Sequence, residues 1–235
     1  MEKICLAILA SGSGTTGEVL FDKAVVVVTN NPDAGVIKRA KKYDIPCEVR
    51  MRKDYQENGK YSPSLYGEEL IRIFKEYNVN FISQNGWAIL TPANVIAAFS
   101  DRIVNSHPAP LDPGHLDFGG VGMHGLAVYL AVLNFARLIK RPFQTEVTLH
   151  KVVEEYDKGS LLAYTPVDIL SGDSPESLQE RVKEAEKKQN VSVWKKLEQT
   201  GKLVTVERPS RLILPGEEEI LEQAKRQAIE QYPKG

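Results

Sequence analysis

Cysteine is scarce: two in 235 residues, Cys5 inside an apolar run and Cys47 after Pro46. They form neither a C-x-x-C pair nor the disulfide framework of a small secreted domain, so a reducing cytoplasm is the expected location. Charge of one sign is missing too. Thirty Lys and Arg against 31 Asp and Glu give a formal net charge of -1, which provides no global field to concentrate nucleic acid or an anionic membrane. The expected partners are small polar molecules, with no nucleic acid and no membrane. No apolar run approaches the roughly 20 residues needed to cross a bilayer. Ile4 to Ala10, preceded by Lys3, is too short for a signal peptide and runs into Ser11-Gly12-Ser13-Gly14, which points to a buried first strand. Internal repeats and low-complexity tracts are absent.

What is present is enough apolar residue, 42%, to bury a substantial core. Ile4 to Ala10, Ala24 to Thr29 and Phe81 to Gln84 are short runs bounded by Gly, Asn or polar residues, as strands buried on both faces should be. Between them Ala34 to Tyr43 and Ser62 to Tyr77 carry helical spacing, the second with Leu65, Leu70, Ile73 and Phe74 on one stripe. Strands alternating with helices imply a parallel α/β sheet. Pro92 opens a helix Ala93 to Phe99, and Ile103-Val104 reads as a strand delivering Asn105-Ser106-His107-Pro108 at its C-terminal edge, where open α/β sheets keep their ligands. A long Pro- and Gly-rich loop, 108 to 125, precedes a helix from about Leu126 to Leu138. Phe143 to Val153 and Leu161 to Ile169 read as paired strands. Ser174, as N-cap before Pro175, starts a helix expected to end near Lys187. The charge-rich remainder contains an apolar Leu203 to Val206 and a terminal helix Glu217 to Gln231.

Three features carry chemistry. Ser11 to Gly17 follows the first strand and precedes a short helix, so free backbone N–H groups and a helix dipole would stabilise an anion there. The loop lacks the Lys of a P-loop and the spacing of a dinucleotide fingerprint, which leaves a phosphate site or a tight structural turn as its two readings. Asn105 and His107 alternate on an extended segment and so point the same way. An amide that donates to an oxyanion and an imidazole that titrates near neutrality suit carbonyl chemistry; a hydrogen-bonded loop histidine is the alternative. Asp157, before Lys158-Gly159, reads by itself as a solvated turn.

Taken together, Ser11-Gly-Ser-Gly, Asn105-x-His107-Pro108, His150-x-Val152 and Asp157-x-Gly159 resemble, in order and spacing, the glycinamide ribonucleotide formyltransferases, folate enzymes of purine synthesis. The resemblance covers roughly residues 3 to 187. It implies a Rossmann-like, mostly parallel sheet flanked by helices and transfer of a formyl group from 10-formyltetrahydrofolate, as cosubstrate, to the amine of glycinamide ribonucleotide. It implies that Asn105, His107 and Asp157 surround the formyl group as the catalytic set. Gly14, Thr15 and Thr16 would hold the substrate phosphate, Glu186 the amine side, and Gly86, Trp87, Ala88, Ile89 and Leu90 the folate. No metal is required.

The sequence departs from the pattern in a Gly86 to Pro92 loop that is one residue shorter and lacks an arginine, in Thr16 where the family has Asn, and in the stretch after Glu186. Trp87 is read equally as core or as a folate contact. His115 has no assignable role, and the loop 109 to 123 is distinctive. The expected organisation is a catalytic domain over 1–200, with a phosphate-binding half of about 1–104 and a formyl- and folate-binding half of about 105–200, then an extension over 201–235. Alternatives are formyl transfer to another amine such as a nucleotide-linked amino sugar, formyltetrahydrofolate hydrolysis, or a noncatalytic folate- or nucleotide-binding module. A homodimer is compatible with the sequence.

Overall fold

The computed structural model describes residues 3–233. Among them are nine strands and six α-helices, and the chain divides into two compact units. One unit takes the chain up to Asn105 together with Lys151–Glu154 and Trp194–Leu203; the other takes Ser106–His150, Glu155–Val193 and the chain from Val204 on.

The first unit is built on β1 (Leu6–Leu9), β2 (Ala24–Thr29), β3 (Cys47–Val49) and β6 (Phe81–Asn85), with helices α1 (Gly35–Lys42), α2 (Pro63–Glu76) and α3 (Ala93–Ala98). A two-stranded hairpin, β4 (Gln56–Glu57) and β5 (Lys60–Tyr61), precedes α2. β1 pairs in parallel with both β2 and β6, and β2 in parallel with β3. All four residues of β1 are buried, which is why its sequence runs apolar without alternating. Ala7 and Leu9 join Leu70, Ile73 and Phe74 of α2 in a core cluster that also takes in Trp87. Ser62 caps α2 by accepting from Leu65 N at 3.4 Å, with Pro63 in the first turn where its missing N–H costs nothing.

Strand β7 (Ile103–His107) contributes residues to both units. The second unit adds α4 (Leu126–Leu138), the antiparallel pair β8 (Thr145–Lys151) and β9 (Leu161–Val167), and α6 (Glu218–Gln231), which packs along α4. The strand order is β3-β2-β1-β6-β7-β8-β9, a mostly parallel seven-stranded sheet. Helix α5 (Pro175–Thr200) is longer than its expected end near Lys187. Beyond Lys187 the helix is mostly polar, but Trp194 and Leu197 are buried, with Trp194 edge-on to Phe81 at 6.0 Å between ring centroids. Its start behaves as expected: Ser174 Oγ accepts from Ser177 N at 3.2 Å and Ser177 Oγ from Ser174 N at 3.0 Å, a reciprocal cap.

Candidate active site

The loop after β1 is held by its neighbours. Ser11 N donates to Gly86 O (2.9 Å), Ala88 N donates to Ser11 Oγ (2.8 Å), and Arg39 Nε donates to Ser13 O (2.8 Å). The 11–17 loop and the 86–90 segment are therefore one stapled structure. Gly14 has φ +71°, and a Cβ there would lie 2.4 Å from Val36 Cγ2, so both the backbone and the approach of α1 require glycine. The expected helix after this loop is a single 3₁₀ turn, Glu18–Leu20, whose first residue is acidic and ion-paired to Arg39. Three residues sum to little macrodipole. Any anion would be held by the turn itself, where the N–H groups of residues 13–16 donate to no protein acceptor among the described residues.

In the 86–90 segment Gly86 has φ +71° and Leu90 is 55% exposed, whereas Trp87 is buried in the core cluster with no partner for its Nε1.

Asn105 and His107 occupy alternate positions of β7, Asn105 half-buried and His107 buried. His107 Nε2 lies 3.0 Å from Phe118 O. A carbonyl only accepts, so Nε2 carries the hydrogen, and in the neutral ring Nδ1 is the nitrogen left with a lone pair. Burial lowers the pKa of His107; the Asp157 carboxylate and the Phe118 carbonyl oppose that, and the Lys225 ammonium adds to it.

Asp157, at φ +52°, accepts from Gly120 N at 3.0 Å through Oδ2, and its Oδ1 lies 3.6 Å from His150 Nε2. Its side chain is buried, so the solvated turn suggested by Asp157-Lys158-Gly159 alone is not what forms. Gly119 makes the approach possible: a Cβ there would meet Asp157 Oδ2 at 2.6 Å and Leu111 Cδ2 at 2.9 Å. Phe118 is fixed from the other side by Phe135 and Phe143, with ring centroids at 5.4 and 6.1 Å.

The second unit thus brings together His107, His150 and Asp157 around Phe118-Gly119-Gly120. Sequence reasoning assigned those three loop residues no role. Phe-Gly-Gly in a long loop was the available signal, but only the fold shows that its carbonyl and N–H face two site side chains.

Glu186 on α5 is brought to Ser106, whose Oγ donates to Oε1 at 2.6 Å. By strand alternation Ser106 faces away from the side shared by Asn105 and His107. Burial pushes the Glu186 carboxyl up to about 7, against the Ser106 bond and the charges of Lys183 and Lys187. One helical turn on, Gln189 is buried with neither end of its amide paired, and Asn190 donates to Glu186 O at 3.0 Å. Among the described residues no group of three or more His, Cys, Asp or Glu is placed to hold a metal ion, and no helix is long and apolar enough to cross a membrane.

A family model described as formyl transferase matches residues 7–194. The chain is 35% identical over 198 residues to a chloroplastic phosphoribosylglycinamide formyltransferase of Arabidopsis thaliana, covering 80% of this chain and 63% of that one. It is 32% identical over 209 residues to phosphoribosylglycinamide formyltransferase of Dictyostelium discoideum, covering 82% and 97%. The chain therefore spans less than two thirds of the plant relative and nearly all of the second. The crystal structure of phosphoribosylglycinamide formyltransferase from Bacillus halodurans superposes with a TM-score of 0.70 at 26% identity, covering 86% of this chain and 99% of that one.

Proposed function

We propose, from the premise that the chain belongs to the formyl transferase family, that it transfers the formyl group of 10-formyltetrahydrofolate to the amine of glycinamide ribonucleotide. The chemistry rests on one observation: a buried His107 with its Nε2 committed to Phe118 O, electrostatically coupled to an Asp157 that the same loop holds in place. The acceptor rests on the two relatives, both of which bear that activity in their names.

In this reading the substrate amine forms a bond to the formyl carbon, and the carbonyl electrons move onto oxygen. Asn105 donates a hydrogen bond to that oxyanion. His107 presents Nδ1, since Nε2 is engaged; protonated there from solvent before the attack, it donates a hydrogen bond to the oxyanion and keeps that proton when the oxyanion collapses, with Asp157 stabilising the imidazolium throughout. The bond from the formyl carbon to N10 then breaks. N10 takes the proton that the attacking amine gives up, relayed through water by Asp157.

Gly14, Thr15 and Thr16 would hold the phosphate through the uncommitted N–H groups of their turn. Gly86 to Leu90 would hold the folate on the exposed side of the segment, where Leu90 lies, with Trp87 packed beneath it in the core. Glu186, assigned to the amine side by resemblance, is engaged by Ser106 on the opposite face of β7 from Asn105 and His107, so it would act by holding that strand rather than by touching the amine. Small-molecule substrates without a metal, a nucleic acid or a membrane partner, in the cytoplasm, complete the proposal. Near-neutral net charge and two unpaired cysteines support it.

Mass analysis of products tests the assignment. Formylglycinamide ribonucleotide formed in step with tetrahydrofolate supports it. Formate alone identifies a hydrolase, and a formylated product only with a different amine reassigns the acceptor.

A further inference from the structure

The chain from Val204 onward lies beyond the 7–194 matched by the family model, yet it belongs to the same compact unit as His107 and Asp157. It places three cations against the loop that holds them. Arg208, with a side chain 5% exposed, pairs with Glu146 of β8 (Nη1 to Oε2, 3.0 Å), lies 2.9 Å from Asp112 Oδ1, and donates to Leu111 O at 3.2 Å. Arg211 reaches the fully buried carboxylate of Asp117, with Nη2 2.5 Å and Nε 3.2 Å from Oδ1. Asp117 Oδ2 in turn accepts from Asp112 N at 3.0 Å and closes the 112–117 loop on itself. Asp117 has φ +38° and directly precedes Phe118. Helix α6 adds Ile229 against Gly122 and a largely buried Lys225, one of the two charged groups that act on His107, Asp157 being the other.

We infer that Arg211 and Arg208 are positioning residues for the formyl-transfer site. By holding Asp117 and Asp112, they fix the Phe118 carbonyl against His107 Nε2 and the Gly120 N–H against Asp157. The physical reason is that a glycine-rich loop has little stiffness of its own. The polyaromatic packing of Phe118 secures its ring, and its backbone needs the second anchor that Asp117 receives. The cations come from a segment outside the residues that the family model matches. An arginine is required at Arg211 because two of its nitrogens engage one carboxylate, which a lysine ammonium cannot do in the same geometry.

The inference rests on the proposed function for its kinetic readout, so a second readout is independent of turnover. Arg211→Ala should lower kcat with 10-formyltetrahydrofolate and glycinamide ribonucleotide by about 10- to 100-fold, the cost of a small misplacement of reacting groups. KM should change by less than about threefold. Arg211→Lys should recover part of kcat. In imidazole NMR, with His107→Ala to assign the resonance, Arg211→Ala should move the His107 titration upward as the loosened loop admits water. Asp117→Asn leaves one acceptor oxygen and turns an NH2 donor toward either Arg211 or Asp112 N, so it breaks one of the two anchors; it should give the same pattern and covers the case in which Arg211→Ala does not fold. Wild-type kcat together with an unmoved His107 titration in folded Arg211→Ala overturns the inference, as does a kcat loss wholly accounted for by a reduced folded fraction in both variants. If the wild-type protein turns over no formyl donor, the proposed function falls, and the NMR comparison still decides the clamp.

Discussion

In the proposed reaction His107 concentrates the chemistry at the scale of single residues. The ring is buried, its Nε2 is occupied by a carbonyl, and its charge state is contested between desolvation and Asp157. His107→Ala and Asp157→Asn should each reduce kcat by about 10²- to 10⁴-fold, the usual worth of a positioned acid or base, with KM nearly unchanged; steady-state kinetics checks this. Glu186 supplies a stability test. Its folded pKa, about 7, lies above the ordinary carboxyl value of 4.5, so the native state binds more protons than the unfolded chain between those values. The contribution is fully present below about pH 4.5 and is lost as pH rises through about 7, amounting to roughly 3 kcal/mol at most. His107 has the opposite sign: its lowered pKa means that native stability is lost as pH falls below the ordinary imidazole value of 6.5. Urea unfolding of the wild type and of Glu186→Gln from about pH 4 to 8 separates the two, because only the Glu186 component should vanish in the variant. Asn105, His107 and Asp157 were legible as a motif. The occupied nitrogen of His107 was not, because it depends on a carbonyl 11 residues away in a loop with no periodic signal.

At the scale of elements, the readable parts were those with a strong period or firm punctuation. β1, β2 and β6 appear as bounded apolar runs, α2 as a stripe behind Ser62-Pro63, and α5 begins at Ser174-Pro175. β3, β4 and β5 are two or three residues long and carry no pattern that distinguishes them from loop. The end of α5 was misread because polar residues outnumber apolar ones after Lys187, while burial falls on a few positions such as Trp194 and Leu197. The turn after β1 was expected to lead into a helix and gives a single 3₁₀ turn, which removes the dipole from any phosphate argument. The long loop 108–125 turns backbone groups toward His107 and Asp157. Gly119→Ala should therefore push the added methyl into the Asp157 carboxylate. We expect a loss of kcat of about tenfold or more with a fall in Tm of only a few degrees, measured by kinetics and thermal unfolding on the same preparation.

For the whole molecule, family membership covers residues 7–194, and the α/β sheet with its added antiparallel strand is the architecture that the alternating pattern implied. The sequence alone disclosed neither the joining of the chain beyond Val204 to the unit containing His107 nor the clamp it builds there, since ion pairs such as Arg211 with Asp117 connect residues 94 positions apart. The central claim is amine-dependent formyl transfer, and its most direct test is absorbance-monitored turnover of 10-formyltetrahydrofolate with and without glycinamide ribonucleotide, with His107→Ala as control. We predict turnover that requires the ribonucleotide and is lost in the variant. Turnover that ignores the ribonucleotide, or that survives His107→Ala intact, would contradict the account.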